Sequence, residues 1–525
     1  MTDKFSSTEH DLWHLVRPLF FIVCALVLVH IVTIPMQSLF VDETEEIGFT
    51  REPLLDAVFM PDSMPPMFTV TLRAWLFLWQ SDSAARHFSA FLSVLSTIAC
   101  YWFVNRISGR RAAIVATVLF AFSPWQLYYA QLVRGYALMT FWAVLSIGSF
   151  WSAMMRQERW ARRLFIASAA LGSYSHYYFV MIPASLAVAW LIFGDRSRYR
   201  EVLRMFALVA LCSLPVSVFL PSDFQYQHDI RAARPLSIAA AGYTYFSYFS
   251  GYALGPSQRE LQSGNFKQLI VGAIPWASVI GGALCMIGIA GRRTHLRNPL
   301  TGYCIVLCIV PLLLIGGLGA VSGITYNARF VAWFAFPMSV LLGLCFAERQ
   351  ESVDSGADKR SEEVPETQGS FGAVVSWCGL FLICSVMAIA NFRRVADPRY
   401  QFEDIRSTAA HISRQGQESD AVFVIADYMS SPLGYYLGDR DRIVQLPVPD
   451  RKSQMVTDEA SLEAAVRVVL EHRRSEDWLV VSRAFHADPD GLLVNELIRR
   501  GAVRLASYAG VELYRFPAPE PAVGN

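Results

Sequence analysis

Four carboxylates stand together just past the end of the first apolar run, in Phe40-Val41-Asp42-Glu43-Thr44-Glu45-Glu46. A carboxylate held beside a cavity at a membrane surface can take a proton from a substrate hydroxyl or ligate a hard divalent cation. Asp42 and Glu43 are therefore the candidate catalytic residues. The same run would also serve as a solvated loop or as the acidic first turn of a short helix, where the helix dipole favours negative charge. Arg134, in Gln131-Leu132-Val133-Arg134-Gly135-Tyr136, and Arg329, in Tyr326-Asn327-Ala328-Arg329-Phe330, add two guanidinium groups. A planar guanidinium donates several hydrogen bonds at once and suits a phosphate that is gaining charge. Snorkelling towards lipid headgroups is the competing use. His176, in Ser173-Tyr174-Ser175-His176-Tyr177-Tyr178-Phe179, is either a helix-end hydrogen-bonding residue or a substrate contact.

The elements that must position these residues are membrane spans. Of the 525 residues 54% are hydrophobic and only 17% charged, a surplus of apolar surface that a soluble core does not need. Apolar runs of roughly 18 to 23 residues, long enough to cross a ~30 Å hydrocarbon layer, begin near residues 13, 87, 112, 136, 202, 269, 301, 328 and 372. The longer stretch Leu164 to Phe193 divides into two helices around Ser173 to Tyr177. The expected fold is an α-helical polytopic membrane protein with about eleven transmembrane helices. The run from Leu12 to Pro35 is too long for a signal-peptide core and no small-residue cleavage pattern closes it, so it reads as an uncleaved first span.

Arginines recur in alternate connections: Arg106, Arg110 and Arg111; Arg156, Arg159, Arg162 and Arg163; Arg196, Arg198, Arg200 and Arg204; Arg292, Arg293 and Arg297. The positive-inside rule makes these loops cytoplasmic. The N-terminus is then inside, the first loop 36–86 and the loop 221–267 outside, and the linker 348–370 inside. Asp42, Arg134, His176 and Arg329 all fall on the outer side, which makes one shared outer cavity the expectation. Pro65-Pro66 precede an aromatic stretch, Phe68 to Trp79, that is too short to span and suits the outer interface. The tyrosines and phenylalanines between Tyr243 and Tyr252 suit interface anchoring or stacking on sugar faces.

The pattern changes near Arg399. Helices over 402–415 and 458–474 alternate with strands over 420–426 and 478–482 and with one or two strands over 503–515, which predicts a small soluble α/β domain over 399–525, external on this topology. The transmembrane domain then covers 1–398. All nine cysteines lie inside apolar runs and show no zinc-ligand spacing. A net charge of +1 gives no field that would recruit nucleic acid, and no glycine-rich phosphate fingerprint is present.

In this order the elements resemble the C-type membrane glycosyltransferases, the polyprenyl-phosphate-sugar transferases related to protein mannosyltransferases and aminoarabinose transferases. The resemblance is carried by Asp42-Glu43, Pro65-Pro66, Arg86 with Arg110-Arg111, Ser123-Pro124, Tyr129-Ala130-Gln131, Arg134-Gly135-Tyr136-Ala137-Leu138, Ser175-His176-Tyr177 and Arg329-Phe330, and it is densest over 60–220. It implies a multi-pass protein of the inner membrane that moves a sugar, with inversion, from a polyprenyl phosphate to a lipid, glycan or protein acceptor. It implies that Asp42 is the base or a metal-associated carboxylate, and that Arg134 and Arg329 face the carrier phosphate. Tyr136 and His176 are candidate substrate-binding residues beside them. A divalent cation could assist the leaving phosphate. Where that family often has a histidine before the paired prolines, this chain has Met64. A transporter or flippase of lipid-linked sugars is the alternative, but transporters place polar groups near the bilayer midplane, whereas these collect at one surface.

Overall fold

The computed structural model describes residues 3–60, 64–79, 81–221, 236–263, 266–295, 298–322, 326–347, 366–447, 455–474 and 476–517. Most of the linker expected at 348–370, and residues 222–235 of the long loop, lie outside these. Two compact units are present. The first comprises Met1–Val32, Glu52–Leu254 and Ala273–Asn391; the second comprises Thr33–Arg51, Gly255–Gly272 and Phe392–Asn525.

The first unit is helical. Among the described residues seven helices are long and apolar enough to cross a membrane, and eight if the bent pair Arg110–Phe122 and Pro124–Ala130 forms one span. The chain is a multi-pass membrane protein. Three segments that the sequence pattern counts as spans, Arg159–Ser173, Tyr177–Phe193 and Ala328–Leu344, are shorter than 18 residues, which is why the expected eleven exceeds this number. The helix Val16–Met36 keeps Phe20, Phe21, Leu28 and Ile31 exposed as a lipid-facing surface, whereas Tyr136–Met155 is mostly buried and forms the centre of the unit. The predicted cut between Ser173 and Tyr177 is where one helix ends and the next begins.

The break at Ser123-Pro124 follows from proline chemistry. Pro124 has no N–H to continue the helical ladder, and its ring pushes Ser123 into extended backbone, φ −55° and ψ 128°. The helix bends by 55° there. A carbonyl released inside a bilayer needs a partner, and Asn391 Nδ2 donates to Phe122 O at 2.9 Å. Gly251, with φ +50°, lets the helix Ile238–Ser250 end against this break, since a Cβ there would stand 2.6 Å from Pro124 Cβ.

The second unit holds a five-stranded sheet in the order β2-β1-β3-β5-β4. β1 is Val422–Ile425, β2 Ile443–Leu446, β3 Asp477–Ser482, β4 Val503–Tyr508 and β5 Val511–Phe516. The first three are parallel, and β5 pairs antiparallel with both β3 and β4. β1 and β3 are apolar at nearly every position because both faces are covered. Ile412, Val422, Val424, Trp478 and Val480 form one core layer; Phe423, Ile425, Leu479, Leu493 and Phe516 form the other.

Candidate functional site

The first unit brings together four of the residues that the sequence singled out. Arg134 is buried in the turn between the helices Pro124–Ala130 and Tyr136–Met155. That turn is fixed from outside its own sequence: Ser89 Oγ donates to Leu132 O at 2.7 Å, and Gln131 Nε2 lies 3.2 Å from His30 Nδ1. Gly135 permits the next contact. A Cβ there would stand 2.8 Å from Ser175 O and 3.1 Å from Met64 Sδ, so the backbone of the Arg134 turn lies directly on the His176 turn and on the residue preceding the paired prolines. Met67 N donates to Tyr174 O at 3.3 Å across the same junction. Three separate motifs thus meet at one place.

His176 is the centre of this cluster, 1% exposed. Its ring centroid lies 5.8 Å from Tyr136, 5.8 Å from Tyr178 and 6.1 Å from Phe330. Phe330 in turn stacks on Tyr178 at 4.1 Å, which brings the Arg329 segment onto the same site. Tyr178 N donates to His176 Nδ1 at 3.2 Å, which leaves the proton of a neutral ring on Nε2. Nε2 is buried and has no hydrogen-bond partner among the described residues. Burial, helped by the charges of Arg329 and then Arg134, pushes the imidazole down from 6.5 to about 3. The ring is therefore neutral at physiological pH and offers an N–H within the field of two guanidinium groups. Such a site is complementary to an anion and hostile to a cation.

This titration has a sign that can be tested. An imidazole that stays neutral in the folded protein but protonates near 6.5 when unfolded favours unfolding progressively as the pH falls from 6.5 towards about 3. His176→Gln should therefore narrow the difference in melting temperature between about pH 7.5 and about pH 5, measured in detergent; an unchanged difference would show that His176 is not buried neutral.

Aromatic side chains line the remaining wall. Tyr129 OH is 3.1 Å from Tyr252 OH, and Tyr129 packs edge-on against Tyr136 at 5.0 Å. Tyr252 also contacts Trp125 and Tyr128, with ring centroids at 5.8 and 5.2 Å. Its backbone is left-handed, φ +64°, an unfavourable conformation for a tyrosine that the surrounding packing must hold. Burial raises the Tyr252 hydroxyl well above the usual phenol range. The sequence marks Tyr252 only as one of a run of aromatics suited to anchoring or sugar stacking and does not separate it from members that pack elsewhere: Tyr245 OH donates to Cys308 O at 2.7 Å, and Tyr248 OH lies 2.6 Å from Ser339 Oγ.

Three of the arginine-rich loops gather at the other end of the helices. Arg106 pairs with Glu158, Arg156 Nη1 donates to Arg106 O at 2.6 Å, and Arg162 and Arg198 both pair with Glu201 at 2.9 Å. Arg134 and Arg156 flank the 20-residue helix Tyr136–Met155, and at 1.5 Å per residue the two ends are about 30 Å apart, one hydrocarbon thickness.

Asp42 and Glu43 belong to the second unit, where they form the first turn of the helix Val41–Phe49. Glu43 is fully buried, and its Oε2 accepts the N–H of Phe40 at 2.7 Å, so this carboxylate caps its own helix. Asp42 is half-buried. Among the described residues no three or more His, Cys, Asp or Glu side chains converge as a metal site. The cluster around His176 does not fit a divalent cation either, because its charged members are arginines.

Residues 51–226 match the family model described as dolichyl-phosphate-mannose-protein mannosyltransferase. Undecaprenyl phosphate-alpha-4-amino-4-deoxy-L-arabinose arabinosyl transferase of Erwinia tasmaniensis is 26% identical over 258 residues, which cover 46% of this chain and 42% of that relative. The chain thus spans less than half the length of the curated relative it matches. In fold, ArnT from Cupriavidus metallidurans bound to undecaprenyl phosphate is similar with a TM-score of 0.53 at 12% identity, covering 96% of this chain and 100% of that one. The oligosaccharyltransferase of Archaeoglobus fulgidus in its apo form is similar with a TM-score of 0.54 at 12% identity, covering 89% of this chain and 69% of that one. The family match over 51–226 includes most of the motifs from which the resemblance was read, from Pro65-Pro66 to Ser175-His176-Tyr177.

Proposed function

We propose that the chain is a glycosyltransferase that moves a hexose or pentose from a polyprenyl phosphate to a lipid, glycan or protein acceptor at the outer face of the inner membrane. The observation that carries this reading is the buried His176, packed against Tyr136, Tyr178 and Phe330 within the field of Arg134 and Arg329, with Arg134 and His176 inside the segment that matches the mannosyltransferase family. In the proposed reaction Asp42 takes the proton of the acceptor nucleophile, which attacks the anomeric carbon from the face opposite the phosphate. The carbon–oxygen bond to the phosphate breaks as the new bond forms, which inverts the anomeric configuration. Arg134 and Arg329 neutralise the charge gathering on the departing phosphate, with the His176 N–H as a further donor and Tyr136 as a wall for the sugar. Glu43 keeps the Asp42 turn in shape.

Eleven crossings, with residues 1–398 as the membrane domain and 399–525 as an external α/β domain, agree with the arginine-rich loops lying a membrane thickness from Arg134. The N-terminus is then cytoplasmic. The test is transfer by the purified protein from labelled undecaprenyl-phosphate sugars to a membrane acceptor extract. Label should leave the polyprenyl fraction and appear on an acceptor with the opposite anomeric configuration. Label that stays on its lipid while the lipid changes leaflet would replace the enzyme with a transporter.

A further inference from the structure

In an open α/β sheet, ligands bind where successive connections leave the carboxyl ends of two adjacent parallel strands in opposite directions. In the second unit that point lies between β1 and β3, because β2 pairs on the far side of β1. Arg483, the residue after β3, is held there with left-handed backbone, φ +53°, and is 7% exposed. Its Nε donates to Glu403 Oε1 at 2.8 Å and its Nη1 to Gln262 Oε1 at 3.0 Å. Its guanidinium lies 4.6 Å from the ring centroid of Phe40, the residue that begins the Asp42 helix. The position a small ligand would take in such a sheet thus receives part of the first loop.

The rest of that loop is gripped in the same way. Arg406 donates from Nη1 to Pro35 O at 2.9 Å and from Nη2 to Gln37 O at 3.2 Å, and its backbone N–H donates to Ser38 Oγ at 3.1 Å. Ser38 Oγ donates to Asp404 Oδ1 at 2.9 Å, Leu39 N to Tyr436 OH at 2.8 Å, and Thr44 Oγ1 lies 3.2 Å from Ser431 Oγ. The Arg406 guanidinium also sits 5.7 Å from the Tyr436 ring centroid, so the two strongest grips brace each other. A nine-residue helix does not hold its shape alone in water. Its geometry is therefore set by these partners, which stand more than 350 positions away in sequence.

We propose that the α/β unit is a clamp that positions Asp42, with Arg406 and Tyr436 as its principal positioning residues; this rests on the role given to Asp42 above. Backbone contacts just before the helix start, with the Thr44 side chain just inside it, fix where the carboxylate of the second helical residue stands. A misplacement of about 1 Å at a reacting group can cost on the order of 10²-fold in rate, so the clamp matters to turnover before it matters to folding.

The test uses the full chain in detergent with Tyr436→Phe, which removes one acceptor, and Arg406→Gln, which removes the fork; both are first checked for a single monodisperse species. Hydrogen exchange should accelerate at the amides of 38–44. The kcat for transfer should fall by about 10- to 100-fold while the KM for the lipid donor stays within about twofold. Arg406→Lys should recover part of the loss. In an Asp42→Asn background the same changes should cost less than about threefold more, because their effect passes through the carboxylate already removed. Loss of activity in Asp42→Asn with none in Arg406→Gln or Tyr436→Phe overturns the clamp alone, as does a fully additive loss. Full transfer by Asp42→Asn overturns the role of the carboxylate, and the clamp with it.

Discussion

Arg134→Ala is expected to lower kcat for sugar transfer by about 10²- to 10³-fold, the usual cost of removing one donor that meets charge developing in a transition state. Arg134 sits in the turn before Tyr136–Met155, buried, with its charge felt at His176. Negative charge on the phosphate grows as the sugar departs, so the loss should fall more on kcat than on the KM for the donor. Arg134→Lys should restore only part of the rate, because a point charge lacks the planar fork that meets two oxygens at once. Arg329 is more exposed than Arg134 and should give the smaller of the two effects. Wild-type turnover by Arg134→Ala, measured with the labelled donor, would remove the guanidinium from the mechanism and return it to headgroup anchoring.

The elements that frame this site were readable because each rests on a local rule. Alternating arginines mark alternate ends of the helices. The structure gathers Arg106, Arg156 and Arg198 with their glutamates at one end of the bundle, but it breaks the span that begins near residue 112 at Pro124, where the apolar pattern runs on without interruption. Arg134, His176 and Arg329 were separable from those loops by the same reasoning. What they touch was not readable. That Gly135 lies against Ser175 O, and that Phe330 stacks on Tyr178, depends on how four helices pack, and periodicity carries no information about that.

The second unit divides in the same way. β1, β3, β4 and β5 and the helices Ile405–Gln415 and Glu459–His472 lie where alternation and amphipathic spacing put them. β2 has only four residues and the helices Ser430–Leu437 and Leu492–Arg499 only eight each, too short for either period to emerge. The union of Thr33–Arg51 with Phe392–Asn525 leaves no trace in local pattern at all. The acidic run at Asp42 to Glu46 could be read as a catalytic loop or as the first turn of a helix. The structure has the helix, and Glu43 is its cap.

That dual character is what makes Asp42→Asn the most informative single change, with an expected loss of about 10²- to 10⁴-fold in kcat for removal of a general base. A loss of that size corresponds to about 3–5 kcal/mol in the transition state. The first-turn carboxylate contributes only about 0.3–1 kcal/mol to its helix through the dipole. A variant that remains monodisperse and keeps its melting temperature but no longer transfers sugar has therefore lost chemistry and not structure. Glu43→Gln supplies the contrast, because its amide oxygen can still accept from Phe40 N–H and should keep both the turn and most of the activity. Asp42→Glu retains the charge on a side chain one methylene longer, and a base whose helix start is held by the backbone contacts before it and the Thr44 side chain after it cannot swing back to compensate. Its rate should stay nearer that of Asp42→Asn than that of the wild type. Transfer at the wild-type rate by Asp42→Asn would leave proton removal to another group and reduce Asp42 to the partner of a helix dipole.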